Sequence, residues 1–162
     1  MTSNKELQDL AIKIGQLLTE TKKSVSTAES CTGGWVGKDF TGIPGSSNWY
    51  GFGFITYSNK AKLKTLGVSK GALLDEGAVS EKVVKEMAEG ALRNSGSDFV
   101  ISISGIAGPT GGTDDKPVGT VCFGIGSKDN ISCYTMHFEG DRDQVRKQSV
   151  AFALKELLKC LQ

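Results

Sequence analysis

Residues Phe99 to Ser104 read Phe-Val-Ile-Ser-Ile-Ser and then empty into Gly105-Ile-Ala-Gly-Pro-Thr-Gly-Gly-Thr113. A run this apolar and β-branched suits a strand buried on both faces, which requires helices above and below it. The loop that follows is built for backbone contact rather than for side-chain packing. Glycine accounts for 21 of the 162 residues, nearly twice the usual share of about 7%, and the excess marks tight turns or close backbone approach to a ligand.

Helical and strand patterns alternate along the rest of the chain. Leu7, Leu10, Ala11, Ile14, Leu17 and Leu18 recur at helical spacing and predict a first helix ending near Thr19. Ser24 to Ala28 reads as a short strand running into Ser30-Cys-Thr-Gly-Gly34, and Trp35 to Phe40 as the helix behind it. Gly42 to Ser47 reads as a loop, Gly51 to Tyr57 as an aromatic-rich strand, and Asn59 to Leu66 as a short helix closed by Gly67. Ser80 suits the N-cap of a helix whose core face is Val83, Val84, Met87, Ala88, Ala91 and Leu92. Val118 to Ile125 and Ile131 to Phe138 alternate like paired strands around Lys128-Asp-Asn130, and a last helix runs from about Asp141 to Leu161. This interleaving predicts a single α/β domain over residues 1–162, a three-layer α/β/α sandwich on a mixed sheet.

Charge and cysteine usage exclude several function classes. With 19 basic against 18 acidic side chains there is no basic stripe to bind nucleic acid. Cys31, Cys122, Cys133 and Cys160 form no CxxC pair, so neither a zinc site nor a thioredoxin-type centre is indicated, and no metal is expected. A polar Met1 to Gln8 and the absence of a long apolar stretch predict a cytoplasmic protein without a membrane partner.

In α/β sheets, ligands gather where strands give way to loops at their carboxyl ends. Three such exits, 28–34, 56–62 and 102–113, carry small, hydroxyl-bearing or glycine residues. The first places backbone N–H groups and a helix N-terminus where an anion or oxyanion could sit. A Ser-His-Asp arrangement would have to use His137, the one histidine, on a strand near a sheet edge. A desolvated lysine is the better base for a serine nucleophile. Of Lys60, Lys62 and Lys64, the helical spacing turns Lys62 nearest the Leu63/Leu66 side, hence inward. Cys31 is a rival nucleophile, because a thiol at a helix N-terminus should have a lowered pKa. Ser46 and Ser47 sit on a tight turn after Pro44-Gly45, and Tyr57 could relay a proton or simply close a core. Arg142 and Arg146, one helical turn apart, could face a single anionic group.

Several segments together resemble the CinA C-terminal domain family: Thr27-Ala-Glu-Ser-Cys-Thr-Gly-Gly-Trp35, Gly45-Ser-Ser47, Gly53-Phe-Ile-Thr-Tyr-Ser-Asn59 with Ala61-Lys62, Gly77-Ala-Val-Ser80, Ser104-Gly-Ile-Ala-Gly-Pro109, Gly111-Gly-Thr113, Lys116-Pro-Val-Gly119 and Gly140-Asp-Arg142. The resemblance runs from about residue 6 to residue 158. One local departure is Tyr50-Gly-Phe-Gly53, where a bulkier, often charged, residue would stand at Gly51 or Phe52.

Stand-alone members of that family include a nicotinamide mononucleotide deamidase. The resemblance therefore implies hydrolysis of nicotinamide mononucleotide to nicotinate mononucleotide and ammonia in pyridine nucleotide recycling. It implies no metal or organic cofactor and a homodimeric α/β/α sandwich. It places the reactive groups on Ser47 as the favoured nucleophile, with Ser30, Tyr57 and Lys62 around it, and sets Ser104, Thr110 and Arg146 near the substrate. Thr32, Gly33, Gly105, Gly108 and Arg142 belong to the same substrate-binding set through the turns and loops read above. The competing expectation is a non-catalytic module that binds a nucleotide or a partner protein in the same pocket.

Overall fold

A computed structural model describes residues 1–162. Five strands form one sheet in the order β2-β1-β3-β4-β5, with β1 Val25–Glu29, β2 Tyr50–Ile55, β3 Phe99–Gly105, β4 Thr120–Ser127 and β5 Asn130–His137. The three strands β2, β1 and β3 run parallel, while β3-β4 and β4-β5 are antiparallel, so the sheet is mixed. β1 and β3, at the centre, are buried along nearly their whole length, as a strand covered on both faces must be.

One face is covered by α1 Asn4–Thr21, α2 Trp35–Thr41 and α6 Arg142–Leu161. They meet the sheet through Leu7, Ile14, Leu18, Phe40, Ile101, Phe123, Val145 and Leu154. The other face carries α3 Asn59–Leu66, α4 Lys70–Glu76 and α5 Glu81–Ser95, packed through Leu66, Val83, Val84, Met87, Ala88 and Val100. Helices α3 and α5 touch closely at Gly90, where a Cβ would drive into the Leu66 carbonyl oxygen. Only glycine permits that approach.

The helix starts follow their local chemistry. Ser3, Ser58, Ser69 and Ser80 each accept a backbone N–H two or three positions into a helix, and Asp141 opens α6 with a capping box closed by Gln144. Several boundaries differ from the sequence reading. Helix α1 continues to Thr21, because Lys22 takes the left-handed conformation that ends it (φ 56°). Strand β2 stops at Ile55, leaving Tyr57 in the connection to α3. Helix α4, capped by Ser69, was not anticipated, since seven residues are too few to show a clear helical period. The hairpin turn is the two residues Lys128 and Asp129, with Asn130 already in β5.

Candidate active site

Parallel β1, β2 and β3 deliver their carboxyl ends to the same end of the sheet, and the loops that leave them meet there. Ser30 follows β1, Thr56 and Tyr57 follow β2, and Gly105 closes β3. Helix α3 then folds back so that Lys62 enters the protein, while Lys60 and Lys64 stay in solvent. Lys62 is 1% exposed and its Nζ lies 3.0 Å from Ser30 Oγ; it also donates to the Thr56 carbonyl at 2.9 Å and the Tyr57 carbonyl at 3.3 Å. No carboxylate balances the amine. Burial pushes the Lys62 pKa below the ordinary lysine value, the direction that frees a neutral amine beside a hydroxyl.

The turn carrying Ser30 is fastened from three sides. Ser30 N–H donates to the Ile103 carbonyl of β3 at 3.0 Å. The Glu29 carboxylate, 1% exposed, accepts from Thr32 Oγ1 (2.6 Å), Val36 N–H (3.0 Å) and Gly37 N–H (3.1 Å). Arg146 donates from Nε to the Cys31 carbonyl (3.0 Å) and from a terminal nitrogen to the Thr32 carbonyl (3.3 Å), with its guanidinium over the Trp35 ring. Gly33 and Gly34 supply the positive φ values, 60° and 100°, that let the turn enter α2.

These contacts revise several expectations. The N-terminal donors of α2 are taken by Glu29, so that helix end is not the anion site the sequence suggested. Thr32 is fully buried and its hydroxyl is spent on Glu29, so its side chain braces the turn and only its backbone N–H is left free. Arg142 and Arg146 do not converge on one group. Arg142 instead bridges the Gly108 carbonyl (2.7 Å) and the Tyr57 hydroxyl (3.0 Å), roofing the Ser30–Lys62 pair, whereas Arg146 holds the turn and pairs with Asp143. Tyr57 meets the pair through its carbonyl oxygen, which also accepts from Ser30 Oγ at 3.4 Å, and presents its phenol outward to Arg142.

Cys31 is the clearest reversal among the nucleophile candidates. It lies three residues before the α2 N-cap Gly34, is buried, and burial pushes its thiol up to about 12. Such a thiol stays protonated at neutral pH. His137 is bound to the Val118 carbonyl at the far edge of the sheet, on β5, and takes no part in the cluster.

Ser47 falls elsewhere in the chain. It lies exposed in the 3-10 turn Ser46–Asn48, just before β2, where Trp49 drops into the core against Phe40 and its carbonyl accepts from Val25 N–H. That is the amino end of β1 and β2. Five residues of strand separate it from Ser30, about 16 Å of extended chain. Because β2 runs parallel to β1, the turn before it opens at the opposite end from the Lys62 side, and within one chain Ser47 and Lys62 do not meet.

The remaining positions line the same end of the sheet. Ser104 is buried on β3, on the face shared with Ser102 and the α5 layer. Gly105 closes that strand, Gly108 is held by Arg142, and Thr110 is exposed on the glycine loop. Glu29, inside the Thr27–Trp35 segment, is a functional position that the sequence pattern does not single out. A lone acid ending an otherwise buried strand was the available signal.

The fold and this cluster define a small α/β/α protein with a hydroxyl–amine pair where its parallel strands end. The chain belongs to the CinA C-terminal domain family, whose model matches residues 7–161. Nicotinamide-nucleotide amidohydrolase PncC of Escherichia coli strain K12 is 50% identical over 156 residues, covering 96% of this chain and 94% of the relative. A putative competence-damage inducible protein of Symbiobacterium thermophilum is 49% identical over 150 residues, 87% of this chain but 35% of that longer protein. Among solved structures, the competence/damage inducible protein CihA of Agrobacterium tumefaciens superposes with a TM-score of 0.94 at 39% identity, covering 97% of this chain and 96% of that one. No helix is long and apolar enough to cross a membrane.

Proposed function

We propose that this chain is a nicotinamide-nucleotide amidohydrolase in which Ser30 attacks the carboxamide and Lys62 serves as its base. The similarity to PncC over nearly the whole of both chains supports the reaction. One observation carries the assignment of roles: a buried lysine amine, without a carboxylate partner, 3.0 Å from a serine hydroxyl.

The steps follow from that pair. Neutral Lys62 takes the Ser30 proton as Oγ bonds to the amide carbon, and the resulting oxyanion is met by the N–H groups of Cys31 and Thr32, which directly follow the nucleophile. Collapse breaks the C–N bond as the Lys62 ammonium gives its proton to the amide nitrogen, which leaves as ammonia. Water then attacks the Ser30 ester with Lys62 again as base, releasing nicotinate mononucleotide and restoring the hydroxyl. The substrate enters under the Arg142 bridge; Arg142 and the 105–113 loop with Thr110 hold its phosphate, and Ser104 lines the floor. The protein works as a homodimer in pyridine nucleotide recycling, and its four free cysteines suit a reducing cytoplasm.

The test is ammonia release from nicotinamide mononucleotide by the purified chain, compared with Ser30→Ala. Removal of the nucleophile should lower kcat by about 10³-fold or more, with the thermal transition unchanged. A Ser30→Ala variant at wild-type rate overturns the assignment, and a wild type that binds the nucleotide without releasing ammonia overturns the enzyme reading in favour of a binding module.

A further inference from the structure

Lys62 reaches the reacting pair from α3, a helix of eight residues. An isolated helix of that length is marginal in water, so its place is set by what it packs against. The amino turn offers little hold: Ser58 to Lys60 are exposed, and the Ser58 hydroxyl is spent on the helix's own Ala61 N–H. The carboxyl turn is different. Leu66 lies one turn beyond Lys62 on the same face, fully buried, and packs into the α5 layer. Helix α5 is the principal neighbour of α3 and is itself bedded on β1, β3 and β4.

Three contacts join the two helices there. Gly90, buried on α5, lies against the backbone of Leu66. A Cβ at 90 would stand 2.8 Å from the Leu66 carbonyl carbon and 2.9 Å from its Cα, where carbon atoms normally rest about 3.5–4.0 Å apart. Arg93, one turn further along α5, donates to the Leu66 carbonyl at 3.1 Å, and Asn94 donates to the Thr65 carbonyl at 2.7 Å. These are the last two carbonyls of α3, which no following turn of helix can satisfy. The Lys62 carbonyl is met by Val68 N–H at 3.2 Å and the Leu63 carbonyl by Gly67 N–H at 3.1 Å.

We infer that Gly90, with Arg93 and Asn94, positions Lys62: the close seat on α5 fixes how deep α3 lies, and through it the distance from the Lys62 amine to Ser30. This rests on the reading of Lys62 as the base of an amidohydrolase. None of the three residues touches the reacting atoms, and the lever is geometric. Helix α3 is held at Leu66 and open to solvent at Ser58, so a retreat at Leu66 carries Lys62 with it. The amine lies 2.9–3.3 Å from three oxygens at once, those of Ser30, Thr56 and Tyr57, and a misplacement of about 1 Å can cost about 10²-fold in rate.

Gly90→Ala separates this role from stability, because a helix interior favours alanine over glycine while the added methyl pushes α3 away by roughly 1 Å. The kcat for ammonia release should fall by about 10- to 100-fold, with KM within about twofold of wild type. Lys62, protected in the wild type, should be acetylated at least about threefold faster, read by peptide mass spectrometry against the exposed Lys60 and Lys64 of the same helix. Arg93→Met combined with Asn94→Ala should show the same pattern more weakly, at about threefold in kcat, and Arg93→Lys, which keeps one donor, should match the wild type. If Gly90→Ala does not fold, the Arg93→Met/Asn94→Ala protein decides by the same two readouts. A folded Gly90→Ala protein with wild-type kcat, or with a lower kcat but Lys62 as protected as before, overturns the positioning role. A wild type that releases no ammonia, or Lys62→Met at full rate, would instead overturn the reading of Lys62 as base, and acetylation would still decide how α3 is seated.

Discussion

The turn after β1 and the turn before β2 are both short, glycine-bearing and supplied with serine, yet they hold their hydroxyls in opposite ways. Ser30 is 6% exposed, backed by a buried amine and fixed by Glu29, Arg146 and the β3 backbone. Ser47 is exposed, and its hydroxyl makes no hydrogen bond within its chain. Glycine and serine content does not separate the two. What separates them is which end of a parallel strand each turn serves, because only the carboxyl ends receive the returning helix that brings Lys62.

The contrast sharpens most at Lys62. Lys62→Met keeps the stem's volume and removes the base, and general-base catalysis is commonly worth about 10²–10⁴-fold. Loss of that size in kcat, with ammonia release as the readout, is expected. The pH profile supplies the sign. Burial lowers the Lys62 pKa, so the amine sheds its proton at a lower pH than the roughly 10.4 of a free lysine. The wild-type rate should rise with pH as the neutral amine forms and then level off, and Lys62→Met should lack that limb. A wild-type rate that falls between neutral and mildly alkaline pH would break the pairing of Ser30 with an amine base.

Glu29 tests whether fastening the turn matters as much as the base. Glu29→Gln replaces one carboxylate oxygen by an amide nitrogen facing buried donors, so at least one of the three hydrogen bonds is lost. Leaving a buried donor unpaired costs about 1–3 kcal/mol, and in a protein of this size each kcal/mol lowers the thermal midpoint by about 2–4 °C. If the turn sets Ser30 against Lys62, kcat should fall by up to about 100-fold with KM little changed. A variant that melts earlier yet turns over at the wild-type rate would reduce Glu29 to a purely structural brace.

The sheet, its helical layers and the three exits of small, hydroxyl-bearing or glycine residues were legible because each rests on local periodicity or on turn chemistry. The inward aim of Lys62 was legible for the same reason, since eight residues of α3 suffice to tell Lys62 from Lys60 and Lys64. The partner of that lysine was not. Choosing between Ser30 and Ser47 requires knowing that β2 lies beside β1 and parallel to it, a fact of strand order that no window of sequence contains. The roles of Thr32, Glu29 and Arg146 were hidden likewise, because a hydroxyl, a carboxylate and a guanidinium can each serve a ligand or a turn. The choice is made by neighbours as far as 115 positions away.

The smallest effect is expected next door to the largest. Cys31 follows Ser30 in the chain, and at the level of sequence it is the stronger nucleophile of the two. Burial holds its thiol at about 12, with the Arg146 charge only partly opposing the shift. At neutral pH it is therefore a protonated, enclosed packing group, and only the thiolate reacts. Cys31→Ala should change kcat by no more than about threefold and cost about 1 kcal/mol for the sulfur's lost packing. Iodoacetamide at neutral pH should likewise leave the activity of the wild type intact. A loss comparable with that of Ser30→Ala, in a Cys31→Ala protein that melts normally, would move the attacking atom one residue along the turn and leave Lys62 serving a thiol instead of a hydroxyl.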